Sequence, residues 1–257
     1  MPFITMNFFS KELGMNQTVH VYLPEKRLEE GKHYPVVYLL HDAGESHQAW
    51  IRESAVLRIA EREGVALVLP AAMQGYYTDM KLGYRFFQYL SEELPCVIKE
   101  NFPVVSQKRE ETFVAGVGIG GYGAVKLGLR KPERILAAAS VSGQIDIVSY
   151  VKEVLEKKGR ESDRLHHVFG EADEILYTQN DLYYMAAQGK NREVKPEFLL
   201  VYGNKDKTKS YNQSFYQANE KSYTIECLEY VGKADWTGWS AQVEAVLTWF
   251  SSKGKGV

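Results

Sequence analysis

The chain has 257 residues, 45% hydrophobic and 25% charged, the balance of a globular protein long enough to bury a full core. A formal net charge of −2 and a pI near 6.3 give no electrostatic footprint for nucleic acid or an anionic membrane as a partner. Two cysteines, Cys96 and Cys227, form no CxxC and join no His/Cys cluster, so neither a disulfide framework nor a zinc site is indicated, and no cofactor is expected.

The opening "MPFITMNFFSKELGMN" has no basic segment followed by an apolar one, and no run approaches membrane-spanning length. A cytoplasmic setting is the expectation. "FITMNFF" and "QTVHVYLP" alternate apolar and polar residues and predict an antiparallel hairpin, turned at Gly14-Met15-Asn16. After Pro35 the pattern changes. "VVYLL", "VALVLP", "TFVAGV", "ILAAASVS" and "EFLLVYG" are short, nearly continuous apolar runs, as parallel strands covered on both faces require. Helical periods fall between them at 49–63, 84–100, 121–130 and 239–251, with Pro95 placed to kink or divide the second. Strand alternating with helix predicts an α/β fold with a mostly parallel, doubly wound sheet. Segment 145–195 is a polar, mostly helical insertion, expected to cap the strands' C-terminal ends, where open α/β sheets bind ligands. The whole, 1–257, reads as one domain with that cap inside it. The Gly/Lys tail "SSKGKGV" reads as frayed.

The richest stretch is "FVAGVGIGGYGA" at 113–124, where an apolar strand breaks into glycines and a helix begins. It has the outline of a nucleophile elbow, G-x-S-x-G, with Gly116 and Gly120 in the outer places and Gly121 and Gly123 beyond. The central residue is Gly118, which carries no side chain. A dinucleotide-binding turn has the same glycine spacing from Gly116 to Gly121. It would belong after the first strand and be followed by an acid about 20 residues on. This strand comes in mid-sheet, and "LAAASVS" supplies no acid.

The chain resembles the esterase D / tributyrin-esterase group of α/β-hydrolases nearly end to end. The likeness rests on "MNFFSKELGMNQTVHVYLPE", "YPVVYLLHDAGESHQAW", "YYTDM", "YLSEELP", "FVAGVGIGGYGAVKLGL", "PERILAAASVSG", "NDLYYMA", "YGNKD" and "GKADW". It implies acyl-ester hydrolysis by a triad in the chain order Ser, Asp, His. Carried over by position, the nucleophile place is Gly118, the acid place is Asp206 and the histidine place is Ala234. His41 of the oxyanion strand-end is kept, but Asp42 stands where glycine is usual. The backbone N–H groups of Ala43 and Ile119 would form the oxyanion hole. Serine-esterase chemistry needs an oxygen nucleophile and a base within reach. The expectation is therefore an esterase-family protein without an intact triad, binding a small-molecule or acyl/ester-like ligand or a protein partner. The alternative is an active carboxylesterase using recruited residues.

Candidates for recruitment are few. His166 and His167 lie in the insertion and read as surface residues; Ser140 and Ser142 read as core or turn hydroxyls, and Ser240 as the opening of the last helix. Asp42, Asp206 and Asp235 could share a cleft as a carboxylate pocket for a cation or amine. Trp50, Tyr76, Tyr77, Trp236 and Trp239, with Tyr150, Tyr177, Tyr183 and Tyr184 of the insertion, could line an apolar one. A homo-oligomer is implied by the resemblance alone.

Overall fold

The computed structural model describes residues 2–25 and 28–253. Eight strands form one sheet: β1 (Phe3–Ser10), β2 (Met15–Tyr22), β3 (Val36–Leu40), β4 (Ala66–Pro70), β5 (Thr112–Val117), β6 (Ala137–Val141), β7 (Glu197–Gly203) and β8 (Ile225–Tyr230). Their spatial order is β1-β2-β4-β3-β5-β6-β7-β8, antiparallel from β1 to β4 through β2 and parallel from there on. The hairpin is as expected, but its turn lies earlier. Gly14, at φ 64, closes it, and Met15 and Asn16 already pair with Ser10 and Phe9. β8 has no counterpart among the apolar runs of the sequence. It is an edge strand, largely exposed, and its glutamates hide it from a search for continuous apolar segments.

Alternation along the strands divides the core in two. On β3, Val36, Tyr38 and Leu40 face one side, and Val37 and Leu39 face the other. The second face is covered by α1 (Ala49–Glu53), α2 (Val56–Glu63) and α10 (Trp236–Lys253), through Trp50, Ile59, Val243 and Phe250. Ser54 and Ala55 divide the expected 49–63 helix into α1 and α2. The first face is covered by α3 (Phe86–Gln88), a π-helical turn at Tyr89–Glu93, α4 (Leu94–Asn101) and α5 (Ile119–Arg130). The run is divided next to Pro95, as expected, by a change of helix type. Pro95 sits in the first turn of α4, where its missing N–H is unneeded, and the irregularity is the π turn just before it.

The insertion between β6 and β7 contains α6 (Ile147–Lys157), α7 (Arg160–Phe169) and α8 (Leu182–Gly189); α9 (Lys209–Asn219) follows β7. Ser251–Lys253 continue α10, and the rest of the predicted tail lies outside the described residues. Both cysteines are free and exposed. Among the described residues no helix is long and apolar enough to cross a membrane.

Candidate functional site

Strand register builds the site. Leu40 of β3 pairs with Gly116 of β5, so the chains leaving these strands emerge side by side. Val117 pairs with Val141, and Val141 with Val201, which brings the ends of β6 and β7 to the same edge. Between β5 and α5 stands Gly118, at φ 56 and ψ −119, a region that costs a residue with a Cβ about 1–3 kcal/mol. Its N–H donates to Val141 O at 3.0 Å, and its carbonyl accepts from Gly121 N at 3.0 Å. Strand and helix approach too closely for side chains: a Cβ on Gly120 would lie 2.3 Å from Leu40 O.

Asp42 fills the space in front of this turn. Its Oδ1 accepts from Ile119 N at 2.8 Å, and the neighbouring Ala43 N–H favours the charged form. Of the two amides expected to form an oxyanion hole, that of Ile119 is bonded to a carboxylate of the chain itself. Burial pushes the Asp42 carboxyl up, and the Ile119 and Ala43 N–H dipoles only partly offset it. A Cβ at residue 118 would meet Asp42 Oδ1 at 2.2 Å. With Asp42 in the hole, residue 118 has room for hydrogen and nothing larger.

His41 holds the loop from behind. Its Nδ1 donates to Asp42 O at 2.8 Å and its Nε2 accepts from Ala72 N at 3.2 Å, which assigns a neutral ring. Burial lowers its pKa. Tyr77 donates its phenol to His41 O at 2.7 Å.

Gly118, Ala43 and Asp42 open into a cleft of about 270 Å³, lined also by Ser142, Gln144, Tyr150, Glu161, Arg164 and Thr208. The insertion thus contributes polar side chains rather than an apolar lid. Tyr150 donates to Glu161 Oε1 at 2.6 Å; Arg164 lies 3.7 Å from the same oxygen and donates to Gln74 Oε1. Arg164 Nε is buried and has no partner among the described residues. Ser142 is held at φ 51 just past β6, its Oγ 3.0 Å from Tyr230 Oη. Neither Glu161 nor Arg164 is conspicuous in the sequence, because nothing in the spacing of a polar helix says which of its charges border the cleft.

The remaining candidates are dispersed. Asp206 is 7% exposed; its Oδ1 accepts from Thr208 N at 2.8 Å, and its Oδ2 has no partner among the described residues. Ala234 is exposed in the loop before α10. Asp235 is exposed too and accepts from Gly238 N at 3.1 Å, a helix-start role. The three aspartates therefore do not share a cleft; Asp42 alone lines it. Trp50 and Tyr77 are core residues, Trp50 donating to Leu40 O at 3.1 Å. Trp236 packs edge-on against Trp50 and Trp239 and donates to Glu45 Oε1 at 2.7 Å. The apolar aromatic lining expected from the sequence is thus mostly packing. His166 and His167 are exposed on α7, and Ser240 lies inside α10, which starts at Trp236. Among the described residues no group of three His, Cys, Asp or Glu is placed to hold a metal.

This sheet, elbow and loop arrangement is that of the α/β-hydrolase fold. The sequence profile described as "Putative esterase" matches residues 10–250, and the chain belongs to that family. An acetyl esterase of Caldicellulosiruptor saccharolyticus is 22% identical over 98% of both chains. Among solved structures, the fluorophosphonate-binding serine hydrolase F of Staphylococcus aureus superposes with a TM-score of 0.88 at 22% identity, covering 97% of this chain and 98% of its own. An S-formylglutathione hydrolase of the same organism gives 0.85 at 21% identity, with coverage of 97% and 98%.

Proposed function

We propose that this esterase-family chain uses its cleft to bind a small polar ligand and does not hydrolyse esters by the serine mechanism. The observation that carries this reading is Asp42. A carboxylate seated on the amide of Ile119, beside that of Ala43, occupies the place where a developing oxyanion would need its donors, and opposes its charge. Gly118 offers no nucleophile and Ala234 no base. Ligand recognition then falls to Glu161, Arg164, Tyr150 and Ser142 around the cleft. Self-association, implied by the family resemblance, belongs to the same proposal and is read by light scattering.

Kinship favours a second reading, hydrolysis by recruited residues. The relatives compared carry the names of ester and thioester hydrolases, and on comparison alone this reading is the stronger. In this chain it requires a hydroxyl other than residue 118, and Ser142, held at positive φ on the cleft wall, is the one in place.

A p-nitrophenyl acetate assay separates the two. The native chain should give background rates and resist fluorophosphonate labelling, while an Asp42→Gly, Gly118→Ser, Ala234→His triple variant should turn over. Turnover by the native chain that is lost in Ser142→Ala would replace the first reading with the second.

A further inference from the structure

A second cavity, of about 230 Å³, lies away from the cleft. It opens between the π turn and α4 on one side and the C-terminal end of α5 on the other, over β3 and β5. Its wall residue on α5, Leu127, lies about 12 Å along the helix from the elbow, and no residue of the cleft lines the cavity. Leu40, Leu90, Val114, Leu127 and Ile135 form its walls, all buried. Four hydroxyl residues interrupt them, of which Ser106 donates to Glu111 and Thr112 to Lys108 O. Tyr38 is 7% exposed, and Ser91 is 3% exposed with an Oγ that has no partner among the described residues. The rim is cationic. Lys131 and Arg134 share Glu92, and Lys99 pairs with no carboxylate among the described residues, so positive charge is in excess at the mouth.

An apolar cavity of about 150 Å³ accommodates benzene, so this one has room for a short alkyl chain. It is too small for the two chains of a membrane lipid. A tail alone would account for the leucines and not for the rim. A polar molecule alone would waste the walls, whose burial of alkyl carbons contributes about 25 cal/mol per Å². From this pairing we propose that the cavity is a binding site for a free, monoanionic amphiphile, a short- to medium-chain carboxylate. The chain lies among Leu40, Leu90, Val114 and Leu127, and the carboxylate lies at the mouth near Lys99 and Arg134. Ser91 Oγ–H is available as a donor along the way. The site is separate from the cleft and does not depend on the reading of its chemistry.

The test is a titration of the full chain with octanoate, followed by NMR of the Leu methyl groups, with 1-octanol as the uncharged counterpart. Octanoate should saturate and shift Leu90 and Leu127 methyls. Lys99→Glu, at an exposed position, should weaken octanoate about fivefold, the scale of one reversed exposed charge contact, and leave octanol unchanged. Cys96→Trp, at the exposed mouth, should abolish binding of both. Absence of saturable shifts would overturn the proposal. So would shifts confined to residues of the cleft, or a Lys99→Glu effect equal for octanoate and octanol.

Discussion

Residues 42 and 118 are one decision made at two places in the chain. The carboxylate of Asp42 takes the volume that any Cβ at Gly118 would need, and Gly118 in turn holds backbone angles that only glycine adopts without strain. Their effects on stability must therefore be coupled. Gly118→Ala should destabilise the native chain by about 2–4 kcal/mol, combining backbone strain with displacement of a hydrogen-bonded carboxylate. In an Asp42→Gly background the same change should cost at least about 1 kcal/mol less, measured by urea denaturation as a double-mutant cycle. Additive costs would mean that the carboxylate yields freely. The sequence makes both residues conspicuous, since Gly118 departs from the elbow pattern and Asp42 from the oxyanion strand-end the resemblance implies. That one excludes a side chain at the other follows only from the register of β3 against β5.

At the scale of elements, the loop between β4 and α3 and the insertion between β6 and β7 are tied to α5 by a buried lysine. Lys126 is fully buried and donates to Thr78 Oγ1 at 2.6 Å, Asn180 Oδ1 at 2.7 Å and Tyr77 O at 3.3 Å, with the Phe87 and Tyr122 rings close by. Desolvation depresses its pKa well below the usual lysine range. Lys126→Ala removes the stem and three donated hydrogen bonds together. It should cost about 2–5 kcal/mol and lower hydrogen-exchange protection at Gly75 and Thr78, whose amides bond within that loop. Lys126→Met keeps most of the volume and should cost clearly less, as a buried charge replaced by an apolar chain often does. Nothing in "GAVKLGL" marks this lysine as internal. The helical period puts it on the same strip as Tyr122, and only the neighbouring loop shows what it holds.

Across the whole molecule, the sequence displays best what the core demands. Continuous apolar runs fall on β3 to β7 because both faces of those strands are covered, and the glycine turn marks the elbow because strand and helix touch backbone to backbone there. What it conceals is set at the margins. β8 is half-exposed, α9 is polar, and the charges that line the cleft sit on a helix whose other charges face water. The same global view explains the expected response to acid. His20, His41 and His47 are all held below the ordinary histidine pKa by burial, His47 to about 4, and His20 and His47 meet edge to face at 4.4 Å. As pH falls below 6.5 the unfolded chain takes up protons that the folded chain refuses, so stability present above 6.5 is lost progressively toward pH 4. Asp42 acts in the opposite sense. Its folded carboxyl keeps a proton that the unfolded one releases above 3.8, so its contribution declines as pH rises through its raised pKa. Urea midpoints should fall between pH 6.5 and 4, and His47→Asn should flatten that slope; a slope unchanged by His47→Asn would place the protons elsewhere. The seated carboxylate of Asp42 has one more consequence, for ligands. A tethered group competes with an effective concentration that no free anion reaches in ordinary solution. Boronates and other oxyanion mimics should therefore bind this chain poorly until Asp42→Gly removes the internal competitor, and whatever the cleft accepts must be recognised by its walls and not by the Ile119 amide.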